Sequence, residues 1–231
     1  MIGSFADVWC LAGGGDSLVA AAHDAWTSFD SSTYDDATTL SQILLQGETA
    51  DLGAVKEPNL EVLLAAQPDF ILASCNTASN LELEDTFAQV GIPTAYFDIQ
   101  SFDDYLNMLE ICTTLTGCPE NYQTYGLDVQ EQVEAAVTRQ DGSAPTVLTL
   151  RATGSSCKIK GSRDFLLGEM LSDLGCVNVA DSDESLLENL SLESILAADP
   201  DYIFAVLQGS DASDAQETLE KTLLTNPAWA N

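Results

Sequence analysis

The residues with the clearest chemical potential are the cations, because the chain has so few of them. It contains 7 lysines and arginines against 37 acidic residues, which gives a formal net charge of −30. More than half of these cations fall within the short stretch 151–163. They are Arg151, Lys158, Lys160 and Arg163. A cationic cluster in so acidic a chain predicts a site that binds an anion.

Small residues support the same prediction, because they leave backbone N–H groups accessible to an anion. Within the stretch these are Gly154, Ser155, Ser156 and Gly161. We predict a strand at residues 146–150 and a loop after it, and ligands of open α/β sheets bind beyond the carboxyl ends of strands. The candidate ligand-binding residues are Arg151, Ser155, Ser156, Lys158 and Lys160. Alternatively, the cations only neutralise neighbouring carboxylates, and the sequence leaves this open.

Histidine and cysteine give no catalytic or metal-binding pattern. His23 is the only histidine, whereas a zinc or manganese site usually needs several such ligands. The 6 cysteines have no CxxC spacing, and the sequence has no nucleophile-elbow motif. We therefore expect no cofactor and no enzymatic activity. His23 is expected in a cleft wall or at the surface. Trp26 is a candidate aromatic wall of the ligand site, with core packing as its alternative role.

Composition excludes several classes of partner. A net charge of −30 repels nucleic acid and anionic lipid. No apolar run reaches the 18 residues that a membrane-spanning helix needs, and the sequence as given shows no export signal. We expect a monomer.

The elements that position these residues include a sequence segment that occurs twice in the chain. Residues 60–73 return as residues 192–205, at an offset of 132 and with 9 of 14 positions identical. In each copy an N-cap residue, Asn59 or Ser191, precedes a short helix. Pro68 or Pro200 ends that helix. The apolar run that follows predicts a buried strand, so each copy is an αβ unit and the chain should form two similar lobes.

Glu61 and Glu193 fall in the first turn of these two helices. Their ordinary role there is to complement the helix dipole, which contributes about 0.3–1 kcal/mol each. That role does not explain why both copies have a glutamate at the same position.

The remaining pattern predicts an α/β fold of two lobes with mainly parallel sheets, joined by one long helix over residues 119–139. The expected division is 1–118 for the first lobe, 119–141 for the connecting helix and 142–231 for the second lobe. Residues 30–39 are expected at the surface, and residues 40–45 as a short helix or turn.

The doubled signature resembles that of the helical-backbone substrate-binding proteins of ABC importers, which are receptors for ferric siderophores, haem and cobalamin. The resemblance rests on Pro58-Asn-Leu-Glu with Pro68-Asp-Phe-Ile-Leu, on residues 91–98 and on the second copy of the signature. It covers about residues 4–229. Family members normally extend beyond both ends of this sequence, so we expect a fragment.

The resemblance implies an extracytoplasmic receptor, periplasmic or tethered to the outer face of the cell membrane. Such a receptor would bind a small anionic iron complex of the siderophore type between its lobes and deliver it to the permease. Glu61 and Glu193 would contact arginines of the permease, one per lobe. A haem or cobalamin receptor is the alternative within the family. A doubly wound enzyme that uses a nucleotide or phosphate is the alternative from another class.

Overall fold

The computed structural model describes residues 1–27, 49–139, 142–188, 190–208 and 212–225. The chain divides into two compact units. The first comprises Met1–Ile99 and Asp103–Gln130, and the second comprises Gln100–Phe102 and Glu131–Asn231. The predicted surface segment 30–39 and the predicted short helix or turn 40–45 lie outside the described residues.

The first half of the chain alternates short strands and helices, as the sequence predicts. In chain order it contains α1 (Ala6–Leu11), β1 (Ala20–Ala21), α2 (Asp24–Thr27), β2 (Ala50–Asp51), α3 (Leu60–Ala65), β3 (Ile71–Ser74), α4 (Ala78–Leu81), α5 (Glu84–Val90), β4 (Thr94–Phe97) and α6 (Phe102–Thr116). Strands β1 and β2 pair in parallel, and so do β3 and β4. Ile2 forms a parallel bridge to Ala73 of β3. The parallel pairing confirms the predicted α/β class for this unit.

The repeated segment folds as its residues predict. Asn59 caps α3 by accepting a hydrogen bond from Val62 N–H, at 3.1 Å. In the second copy Ser191 accepts from Ser194 N–H, at 3.3 Å. Each helix ends through a left-handed residue just before its proline, Gln67 (φ 50°) in the first copy and Asp199 (φ 43°) in the second. The two copies therefore share the side-chain N-cap and the left-handed residue before the proline.

The predicted long helix is continuous but changes its winding midway. It begins as α7 (Pro119–Tyr122), widens into a π-helical segment (Gln123–Leu127) and continues as α8 (Asp128–Val137). Tyr105 Oη donates to the Tyr125 carbonyl oxygen within this wider segment, at 2.8 Å. The border between the two units falls at Gln130, within α8. No helix among the described residues is long and apolar enough to cross a membrane.

The second half contains β5 (Thr146–Thr153), β6 (Ser156–Lys160), α9 (Leu166–Asp173), β7 (Val177–Asn178), α10 (Glu184–Glu188), α11 (Leu192–Ala198), β8 (Tyr202–Leu207) and α12 (Ala212–Leu219). Strand β5 is central, because it pairs in parallel with β7 and β8 and antiparallel with β6. Leu148 and Leu150 of β5 are almost fully buried in the core of this unit, together with Ile159 of β6.

The two repeated strands differ in burial, which corrects one prediction. Strand β3 is buried at all four positions, as expected. Strand β8 is mostly exposed, with 59% of Tyr202 accessible, although its sequence is equally apolar. No side chain of β8 belongs to the hydrophobic core cluster of its unit in the described part of the chain. Among the described residues β8 pairs only with β5, so it forms an edge.

Candidate functional site

The basic stretch is a β-hairpin, so the predicted loop after residue 150 is wrong. Strand β5 continues to Thr153, the chain turns at Gly154 and Ser155, and β6 returns antiparallel to Lys160. The Thr153 hydroxyl oxygen accepts a hydrogen bond from Ser156 N–H at 3.1 Å, which closes the turn. The alternation from Cys157 to Lys160 is the period-two pattern of a strand, and it could have identified β6 from the sequence.

The hairpin brings four of the five predicted hairpin ligand residues onto one face of the sheet. Arg151 lies directly opposite Lys158, Lys160 lies opposite Thr149, and Ser156 lies opposite Thr153. Successive side chains of a strand point to opposite faces, so these residues share a face while Ile159 points into the core. Ser155 lies apart from them, exposed at the tip of the turn.

The cations on this face have no ion-pair partner within the described ranges of the chain. In the part of the chain that the structure describes, the ion pairs are His23–Asp51 and Lys221–Glu217, and neither involves the hairpin. The Arg151 Nε atom is buried and has no hydrogen-bond partner among the described residues. Like charges directly opposite each other on paired strands repel. The hairpin is thus a concentrated positive surface that its described surroundings do not neutralise by ion pairs.

Trp26, the remaining predicted ligand residue, belongs to the first unit. It lies in α2 and is partly buried against a core cluster of that unit. Its ring also stacks on His23, with ring centroids 6.3 Å apart and an interplanar angle of 25°. Trp26 therefore combines partial core packing with a role beside the histidine.

His23 forms a pair that the sequence did not reveal. Its Nδ1 atom lies 2.7 Å from Asp51 Oδ2, and the two side chains are 54% and 47% exposed. His23 follows the carboxyl end of β1, and Asp51 is the last residue of β2. Burial acts to raise the pKa of Asp51, but hydrogen bonds from Gly53 N–H and from His23 outweigh it and lower that pKa. Asp51 is therefore a carboxylate at neutral pH.

Glu61 and Glu193 are both exposed in the first turn of their helices, α3 and α11. Neither takes part in an ion pair among the described residues. The equivalent caps and left-handed residues place the two glutamates identically within their repeat copies. Each is thus available to an external partner.

A cavity of about 220 Å³ lies at the other end of the first unit's strands. Its lining includes Val19, which precedes β1, and Phe70, which precedes β3. Ligands of parallel sheets bind at the carboxyl ends of the strands, so this cavity is on the wrong edge for a ligand site. Among the described residues, no three His, Cys, Asp or Glu side chains gather to hold a metal ion.

The class of protein follows from a comparison with known families. Residues 4–231 match the periplasmic binding protein family, and the chain belongs to that family. The resemblance seen in the sequence is thereby confirmed. Periplasmic binding proteins are solute receptors and not enzymes, so the expectation that the chain is not an enzyme is also confirmed, and the doubly wound enzyme is set aside.

Individual relatives are distant. The ferric-anguibactin-binding protein FatB of Vibrio anguillarum is 25% identical over 199 residues, which cover 80% of this chain and 60% of the relative. The vitamin B12-binding protein of Pectobacterium carotovorum is 26% identical over 195 residues, which cover 83% of this chain and 64% of the relative. The chain thus spans less than two thirds of the length of these two curated relatives.

A solved structure shows the shared fold. The periplasmic heme-binding protein RhuT from Roseiflexus sp. RS-1, in its apo form, aligns with a TM-score of 0.69 at 19% identity. The alignment covers 99% of this chain and 81% of that one.

Proposed function

We propose that this chain is the substrate-binding component of an ABC importer and that it binds a small anionic iron chelate of the siderophore type. The observation that carries the proposal is the hairpin face on which Arg151 lies opposite Lys158 with Lys160 beside them. Guanidinium and ammonium groups are the donors that bind anionic oxygens most strongly. The ferric-anguibactin-binding relative supports an iron chelate as the substrate class.

Charge patterning supports this choice over a neutral substrate. In a chain of net charge −30, a bound anion is repelled everywhere except near a local cluster of cations. The exposed oxygens of a catecholate or carboxylate iron chelate would match the hairpin face. Cobalamin is a second substrate to test, because one relative is a vitamin B12-binding protein. Haem is a third, because the structurally similar RhuT is a heme-binding protein.

A thermal-shift screen tests the substrate class directly. The panel contains ferric catecholate and ferric carboxylate siderophores, ferric protoporphyrin IX, cobalamin and ATP. We expect a ferric siderophore to raise the melting temperature most, and a variant with Arg151, Lys158 and Lys160 all replaced by Ala to lose that shift. An unchanged shift in this variant would reject the anion site. Stabilisation by ATP alone would reject the receptor function.

We further propose that Glu61 and Glu193 dock the receptor onto the permease. Both glutamates are exposed, equivalent in the two repeats and without ion pairs in the described part of the chain. An exposed charge pair contributes about 0.2–1 kcal/mol, so two such contacts would orient the complex more than they would tighten it. The same proposal places the working receptor outside the cytoplasm, as a monomer, either free or tethered to the cell membrane.

Charge reversal separates docking from ligand capture. The double variant Glu61→Lys and Glu193→Lys should abolish uptake of the ferric chelate and leave its binding by the purified protein unchanged. Glu82→Lys provides a control, because Glu82 is also exposed but lies outside the repeated first turn. Normal uptake by the double variant would reject the docking role.

A further inference from the structure

One edge of strand β5 is shared by two shorter strands that run in opposite directions. Strand β8 pairs with β5 from Val147 to Ala152 and therefore occupies one edge over that range. On the other edge, Val147 pairs with Asn178 of the parallel strand β7. Further along the same edge, Thr149 pairs with Lys160 of the antiparallel strand β6. The last residues of β6 and β7 thus meet beside β5, where neither strand continues the backbone ladder. We call this place, formed by Thr149, Lys160 and Asn178, the β6–β7 junction.

The side chain of Asn178 closes the β6–β7 junction. Asn178 is 3% exposed, and its Nδ2 atom donates hydrogen bonds to the Lys160 carbonyl oxygen at 2.8 Å and to Thr149 Oγ1 at 3.1 Å. The Thr149 hydroxyl in turn donates to the same carbonyl oxygen, at 2.5 Å. Asn178 Oδ1 accepts from Ala180 N–H at 3.1 Å. Both ends of the buried amide are therefore satisfied, and two donors converge on one carbonyl group.

The other side of the same peptide group is also held. The Lys160 carbonyl and the Gly161 N–H belong to one planar peptide unit. Gly161 N–H donates to Asp164 Oδ2 at 2.8 Å. Ser162 N–H donates to Asp181 Oδ1 at the same distance of 2.8 Å. A β-carbon at Gly161 would lie 3.1 Å from Asp181 Oδ1, so the chain passes close to this carboxylate. The backbone that carries the Lys160 side chain is thus fixed from both sides.

A fixed backbone has a particular consequence for a lysine. The ammonium group stands on a flexible four-carbon stem, and much of its freedom is lost when it contacts an anion. Preorganised groups bind more tightly because less of that freedom remains to be lost. Lys160 is partly exposed and has no ion-pair partner among the described residues. The hydrogen bonds at the β6–β7 junction therefore restrict where its ammonium group can reach.

We propose that Asn178 is a positioning residue that, through Thr149 and the Lys160 carbonyl group, holds the Lys160 ammonium group where an anionic chelate binds. Asn178 itself does not touch the chelate, because its amide is buried and fully hydrogen-bonded. The inference rests on the proposed function, and it adds a residue of β7 to the site that β5 and β6 form.

A double-mutant cycle tests whether Asn178 acts through Lys160. The probes are a ferric tris-catecholate and a ferric carboxylate siderophore, each titrated against the full chain by tryptophan fluorescence. We expect Lys160→Ala to weaken binding of the tighter probe about fivefold, and Asn178→Ala to weaken it about threefold. In the Lys160→Ala background, Asn178→Ala should cause no further loss, because the group that it positions is gone. A residue that only stabilises the fold would give equal losses in both backgrounds.

A milder variant and a matched control separate positioning from a folding defect. Thr149→Val keeps the shape of the side chain and removes the hydroxyl that bridges Asn178 and the Lys160 carbonyl, so it should weaken binding about twofold. Thr113→Val makes the same change at a residue that is 2% exposed and whose hydroxyl donates to the Glu110 carbonyl at 3.0 Å in α6. This control should lower the melting temperature to a similar extent and leave the affinity unchanged.

The outcomes distinguish this inference from the proposed function. If folded Asn178→Ala or Thr149→Val protein binds the probe as the wild type does, the inference is overturned and the receptor function stands. Equal losses with and without Lys160→Ala have the same meaning. If Asn178→Ala does not fold, Thr149→Val and its combination with Lys160→Ala decide in the same way. If neither ferric chelate binds the wild type, both are overturned.

Discussion

The substitution Lys158→Gln separates the two roles that the basic hairpin could have. Lys158 is exposed and lies directly opposite Arg151 across the β5–β6 pair. Like charges directly opposite on paired strands destabilise by roughly 0.2–1 kcal/mol. Removal of one charge should therefore stabilise the protein without ligand. If the cations instead neutralise nearby carboxylates, the same change should destabilise it.

The expected magnitudes are small but measurable. For a domain of this size each kcal/mol corresponds to about 2–4 °C in melting temperature, so the ligand-free variant should melt roughly 0.5–4 °C higher. A charge-assisted contact at an exposed position contributes about 1 kcal/mol, so affinity for an anionic ferric chelate should fall about fivefold. A rise in stability together with a fall in affinity is expected only if the lysine serves a ligand.

Differential scanning fluorimetry and titration of the ferric chelate by tryptophan fluorescence measure the two quantities. Lys221→Gln is the matched control, because Lys221 already pairs with Glu217 at 2.6 Å. That control should show an equal or lower melting temperature and unchanged affinity. A lower melting temperature for Lys158→Gln, with unchanged affinity, would refute the reasoning.

Three further predictions concern buried and edge residues. Burial raises the pKa of Asp7 and the Asp24 carboxylate adds to this, so stability falls as pH rises through the pKa of folded Asp7. Asp7→Asn should therefore raise the melting temperature at pH 7 and leave it unchanged at pH 3, as scanning calorimetry would show. Burial raises the pKa of the Cys112 thiol to about 12, so iodoacetamide at pH 8 should leave Cys112 unmodified in the native protein and alkylate it in urea, as mass spectrometry would show. Tyr202→Lys places a charge on the exposed edge strand β8 and should reduce light scattering at high protein concentration, whereas unchanged scattering would mean that this edge does not drive association.

The sequence was sufficient for features that depend on local chemistry. The caps at Asn59 and Ser191 and the long helix after Pro119 follow from residue types within a few positions of one another. The repeated signature also predicted two αβ units and the family. These features need no knowledge of which strands become neighbours.

Features that depend on strand neighbours were missed or misread. The run that forms β8 has the composition of a buried strand, but burial depends on which side chains pack on its faces, and among the described residues β8 contributes none to the core cluster of its unit. The His23–Asp51 pair joins residues far apart in sequence, and only the parallel pairing of β1 with β2 brings them together. The glycine and serine content of the hairpin predicts a loop. The alternation of apolar and charged residues from Cys157 to Lys160 predicts the strand that is observed.

The most direct test of the central claim is an equilibrium titration of the wild-type chain with a ferric siderophore, followed by tryptophan fluorescence over a range of salt concentrations. A receptor that holds an anionic chelate on the face of Arg151, Lys158 and Lys160 should bind it with 1:1 saturation. Its affinity should fall as salt screens the charges. Absence of saturable binding to any ferric siderophore, or binding that salt does not weaken, would contradict the account.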